Sequence, residues 1–111
     1  MNAPIIQKNY DFLLYLIPIL QKLPRNQKFL LADRIQNLVM DNQEILLTAY
    51  YSERETRVGL LQEANLNLEK LRTWFRLCYD LKLINADRYE FISHFVNEIG
   101  AMLGGWLKSL K

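Results

Sequence analysis

Arg72 and Arg76 stand one helical turn apart and flank Trp74 and Phe75. Two guanidinium forks so placed can grip phosphates or an acidic protein surface, because each presents planar, bidentate donors. Glu69 and Asp80 lie at helical spacing from the same pair, so an ion-paired, solvated surface is the competing reading. Catalytic spacing is harder to find. His94 has no cysteine near it in sequence to make a nucleophilic dyad, and Phe91 and Phe95 beside it suggest a helix surface or a satisfied structural histidine. Glu90 and His94 are four apart, not at the Glu-x-x-His spacing of a di-metal bundle, and there is no second histidine. Cys78 falls on an apolar seam, where it reads as a small buried hydrophobe. A single cysteine and a single histidine exclude an internal disulfide framework and a Cys/His zinc site. Gly59 stands alone, and Gly100, Gly104 and Gly105 follow no strand, so no phosphate-cradling loop is present. These residues imply no cofactor, no metal and no enzyme; contact is the chemistry they offer.

The elements that must position them are helical. Strict alternation is absent, whereas three- and four-residue apolar spacing recurs in four blocks. The first runs from about Tyr10 to Leu23, with an earlier start near Pro4 left open, and carries Tyr10, Leu13, Leu14, Ile17 and Leu20 on one stripe. Pro18 inside it removes the hydrogen bond to the carbonyl of Leu14 and predicts a kink, and Leu23-Pro24 predicts its end. The second runs from Asn26, a suitable N-cap, to about Tyr50, with Leu31, Ile35, Leu38, Ile45 and Ala49 on one stripe and Ala32, Val39 and Leu46 beside it. Residues 51–57 (YSERETR) read as a turn or frayed end. The third, Val58 to Leu81, aligns Leu61, Ala64, Leu68, Leu71, Phe75 and Cys78, and Trp74, Leu77, Leu81 and Ile84 make a second stripe. Asn85 offers a cap and Asp87 a favourable first-turn charge for the fourth, from about 87 to 110, which carries Ile92, Val96, Ile99, Leu103, Trp106 and Leu110. Four such helices with short connections predict an all-α, up-down-up-down antiparallel four-helix bundle in one domain spanning 1–111.

Half the chain is apolar, which is more than 111 residues comfortably bury. The excess, in the second stripes and around the first helix, reads as an interface. Fourteen Lys and Arg oppose twelve Asp and Glu, a formal charge of +2. In the predicted topology, Lys22, Arg25, Lys28, Lys82 and Arg88 gather at one end against Asp80 and Asp87. Lys8, Arg54, Arg57, Lys108 and Lys111 gather at the other, against Asp11, Glu53 and Glu55. The apolar run from Phe12 to Leu20 is shorter than the about 20 residues a bilayer requires and lacks the flanks of a signal peptide, so no membrane role and a cytoplasmic location are expected.

Gly100 and Gly104 are four apart, with Gly105 next, in a stretch otherwise fit for helix. Close approach of another helix would offset their cost, about 1 kcal/mol each. The alternative ends the helix at Gly104 or Gly105 and folds Trp106 back as an anchor. Trp106 and Leu110 continue the apolar stripe, which favours an unbroken helix.

Tyr10-Asp11 leading into the Pro18 helix, then LPRNQKFLLADRI, LRTWFRL and the ending EIGAMLGGWLK occur here in order. Together, from Tyr10 to Lys108, they resemble the four-helix-bundle proteins that include the accessory variability determinant, Avd, of diversity-generating retroelements. A more distant resemblance is to the bundle proteins of ribosomal-RNA intervening sequences, which would imply an interaction protein without a retroelement. The nearer resemblance implies a non-catalytic, homopentameric partner of a reverse transcriptase that also binds RNA or DNA and supports mutagenic retrohoming, the copying of a template RNA into cDNA. It carries binding roles onto Arg25, Lys28 and Arg34 in PRNQKFLLADR and onto Arg72 and Arg76 in LRTWFR, and packing roles onto Gly100, Gly104, Gly105 and Trp106. The best-known Avd type is strongly basic, whereas this chain has a pI of about 8.7. Phosphate affinity grows with the number of charges neutralised together, so the resemblance implies protein binding more strongly than nucleic-acid binding.

Overall fold

A computed structural model describes residues 3–111 as four helices, with no strand among them. Helix α1 is Pro4–Gln21. Helix α2 spans 25–50 and has three parts: a first turn, Arg25–Gln27, a π-helical segment, Lys28–Ala32, and an α-helical body, Asp33–Tyr50. Helix α3 is Arg54–Asp80 and α4 is Ala86–Ser109. Each helix packs on its neighbours in sequence, and α1 also packs on α4, which closes the ring of an antiparallel four-helix bundle. The bundle measures 42 × 23 × 22 Å.

Helix boundaries differ from the sequence pattern where a backbone partner lies outside it. Helix α1 starts at Pro4, whose fixed φ and missing N–H suit a first turn, and buries Ile5 and Ile6 ahead of the expected Tyr10 start. Pro24, not Asn26, precedes α2; Asn26 lies inside its first turn and does not cap it. Helix α3 begins within the polar YSERETR stretch, because Arg57 satisfies the carbonyls at the end of α2. Its Nε donates to the Ala49 carbonyl (2.7 Å) and its Nη2 to those of Tyr50 (3.0 Å) and Ser52 (3.0 Å). The turn is thereby reduced to residues 51–53. At the other end of α3, Lys82 adopts a left-handed φ of 61°. Its N–H bonds to the Tyr79 carbonyl, and Leu83 N–H to that of Cys78, which is the Schellman stop. Asn85 then caps α4 as expected, its side chain accepting from Arg88 N–H at 2.8 Å.

The core is one continuous seam. On α3, Leu61, Ala64, Leu68, Leu71, Phe75 and Cys78 are buried, and on α4, Ile92, Val96, Ile99 and Leu103, as the periodicity predicted. Each full burial of such a side chain contributes about 1.5–3 kcal/mol. Helix α1 is rotated from expectation. Tyr10 and Leu14 are exposed, and the seam is Ile5, Ile6, Asn9, Phe12, Leu16 and Leu20. Asn9 can occupy a core position because its amide donates to the Val39 carbonyl (3.2 Å) and to Gln43 Oε1 (2.9 Å). Gln43 in turn donates to the Ile6 carbonyl (3.2 Å). Across the bundle, Asn67 donates to Asn42 Oδ1 (2.9 Å), and Asn42 to the Ala64 carbonyl (3.1 Å). These paired amides hold the register of α1 on α2 and of α2 on α3, since a slide would strand each one in apolar surroundings.

Candidate partner-binding surface

The basic residues singled out by sequence are distributed over three places on the bundle. Arg72 lies half-buried on the α3–α4 side. Its Nε meets Glu69 Oε1 at 3.2 Å, and its Nη1 donates to Asn97 Oδ1 on α4 at 2.6 Å. Its guanidinium passes over Gly100, where an added Cβ would stand 3.5 Å from Nη2, ordinary van der Waals contact. Arg76, one turn on, is exposed and 3.7 Å from Asp80. The two carboxylates expected to compete for this pair therefore do so.

Arg34 sits on the other flank of α3, with its guanidinium 5.9 Å from the Trp74 ring centroid. It lines a surface groove of about 410 Å³ together with Phe29, Leu30 and Leu38, rimmed by Asp33 and Asp41. Phe29 and Leu30 are 73% and 63% exposed, adjacent in sequence on the π-helical segment. A π turn adds a residue to the ladder here, and Leu31 and Ala32, the next two residues, face the core, which leaves Phe29 and Leu30 on the outer side. Arg25 is exposed and Lys28 half-buried at the start of α2, away from the Arg72 site.

The groups that suggested other chemistry are placed as follows. His94 is exposed, its Nε2 3.9 Å from Glu90 Oε1. Cys78 is buried, and burial raises its thiol from the ordinary 9.0 to about 11, so it stays protonated and unreactive near neutrality. No group of three or more His, Cys, Asp or Glu among the described residues is placed to hold a metal ion. No helix among the described residues is long and apolar enough to cross a membrane. Helix α4 runs unbroken through Gly104 and Gly105 to Ser109. A Cβ on either of those glycines would meet nothing within 4 Å, so no close helix approach inside the bundle requires them. Trp106 remains in the helix, half-buried under the Arg57 guanidinium at 5.8 Å.

Fold and surface together define a small all-α bundle with amide pairs in its core and its charged groups on the outer faces. The bAvd-like family model matches residues 4–110, and the chain belongs to that family. No curated protein matches it.

Proposed function

We propose that this protein is the non-catalytic accessory factor of a diversity-generating retroelement, acting in the cytoplasm by binding the element's reverse transcriptase, with template RNA or cDNA as a further partner. The observation that carries this reading is the bAvd-like match over nearly the whole chain. Arg25, Lys28, Arg34, Arg72 and Arg76 are the proposed contact residues. Their settings favour a protein partner. Arg34 lines a groove that mixes apolar side chains with Asp33, Asn37 and Asp41, and Arg72 and Arg76 are already matched by carboxylates. Such surfaces suit a desolvated, shape-fitting interface better than a polyanion. The assembled form is a homopentamer, in which exposed apolar side chains outside that groove, such as Leu14 and Leu66, are covered.

The test is co-expression with the reverse transcriptase encoded in the same genomic neighbourhood. The two proteins co-elute, and Arg34→Glu combined with Phe29→Ala weakens the complex at least tenfold. A neighbourhood without a reverse transcriptase, or failure of the unaltered pair to co-elute, overturns the proposal. Light scattering reads the assembly: the mass of a pentamer of the 13.2 kDa chain is expected, and a monomer or dimer at micromolar concentration contradicts it.

A further inference from the structure

The ion pairs formed by Lys and Arg among the described residues are Lys8–Glu98, Arg72–Glu69 and Arg76–Asp80. Lys22 and Arg88 take part in none, yet they line one cleft of about 450 Å³ where the α1–α2 turn meets the start of α4. No carboxylate lines that cleft. Its remaining walls are Tyr15 and Asn85 with the apolar Pro18, Ile19, Leu23, Leu83 and Ile84. Arg88 is held in place without being neutralised: its Nη1 donates to the Tyr15 hydroxyl at 3.1 Å, and its guanidinium lies 5.7 Å from the Tyr15 ring centroid. Tyr15 in turn packs on Phe91 at 4.8 Å and on Phe95 at 5.8 Å. Phe91, just outside the cleft lining and one helical turn from Arg88, is 51% exposed, so an aromatic side chain reaches solvent next to Tyr15.

Two fixed or free cations without a counter-ion, next to apolar walls and an aromatic face, match a ligand that is anionic and flat in turn. Single-stranded nucleic acid is built that way, with phosphates for the cations and unstacked bases for the aromatic and apolar surfaces. A duplex hides its base faces and could use only the charges. We infer that the cleft between Lys22 and Arg88 binds one or two nucleotides of a single-stranded nucleic acid, with phosphate on the cations and a base against Phe91 and Tyr15. The inference rests on the nucleic-acid part of the proposed function and moves the phosphate contact away from Arg72 and Arg76, whose charge Glu69 and Asp80 already offset.

Fluorescence anisotropy at low salt, with a labelled single-stranded RNA of about 15 nucleotides and the matching duplex, tests this on the full chain. Lys22→Glu with Arg88→Glu weakens single-strand binding at least tenfold and shallows its salt dependence. Phe91→Ala weakens it several-fold and leaves the salt slope unchanged. Arg72→Glu with Arg76→Glu has less effect than the cleft pair. Lys22→Glu alone, at a side chain without hydrogen bond or ion pair, keeps the result readable if the double variant fails to fold. Unchanged binding in the cleft variants, or equal loss in the Arg72–Arg76 variant, overturns the inference. Tighter binding of duplex than single strand also overturns it, as does displacement of the RNA by polyglutamate at equal charge, which would assign the cleft to an acidic protein segment. If the unaltered protein binds no single strand while the reverse transcriptase still co-elutes, this inference fails and the protein-binding reading stands.

Discussion

Arg57 joins the end of one helix to the start of the next through a single side chain. It satisfies three carbonyls around residues 49–52 and covers Trp106. Hydrogen bonds from a charged donor contribute more than neutral ones, so Arg57→Ala should lower stability by about 2 kcal/mol. Urea unfolding measures it, and a change below about 0.5 kcal/mol would show that water replaces the guanidinium without loss. Cys78 makes a pH prediction. Its folded thiol ionises near pH 11 and its unfolded thiol near 9, so burial favours the fold only while the thiol is neutral. The cysteine's contribution is constant below pH 9 and declines as pH rises from 9 toward 11, and Cys78→Ala removes that part of the decline. Native protein should also resist alkylation at pH 8 and react once unfolded. These residues could be seen in sequence as an arginine in a turn and a cysteine on a seam. The carbonyls that Arg57 serves could not, because they come together only when two helices fold against each other.

At the scale of elements, two helix features work against local preference. Lys82 holds a left-handed conformation that costs an L-residue about 1–2 kcal/mol. Lys82→Gly should therefore raise stability by about 1 kcal/mol, read as a higher midpoint of thermal unfolding; no gain would mean that the lysine stem packs well enough to offset the strain. Gly104→Ala should add up to about 1 kcal/mol in the isolated chain, since its Cβ meets open space. The amide pair between α2 and α3 behaves asymmetrically. Asn42→Ala removes the acceptor of the buried Asn67 amide and should cost about 2–3 kcal/mol. Asn42→Leu with Asn67→Leu should recover most of that loss, because no buried polar side chain is then stranded. Calorimetry on both variants decides, and equal losses would count against the register role. Asn42 breaks the apolar spacing of α2, and with Asn67 opposite it continues the core in polar form.

For the whole molecule, the relevant quantity is where charge is left unmatched. A formal +2 hides a difference between surfaces: Arg72 and Arg76 are offset by acids on their own helix, and Lys22 and Arg88 line a cleft that has none. Mild electrostatic attraction should follow, with nucleic-acid affinity that is weak and falls only gently as salt rises, because few phosphates are held. The exposed apolar groups behave differently. Those on α1 and α3, such as Leu14 and Leu66, would bury area in the proposed pentamer, so its formation should persist in salt that abolishes nucleic-acid binding. Light scattering and anisotropy across one salt series separate the two, and joint loss would mean that charge holds the assembly.

Helix identity, the buried seams of α3 and α4, the Asn85 cap and the lack of catalytic spacing all follow from local order along the chain. Each depends on residues three or four apart, which a helix brings together whatever surrounds it. The rotation of α1, the π-helical turn at Lys28–Ala32, the amide pairs in the core and the unpaired state of Lys22 and Arg88 were decided by tertiary structure. In each case the partner, or its absence, lies on another helix, and only packing determines which side chains meet.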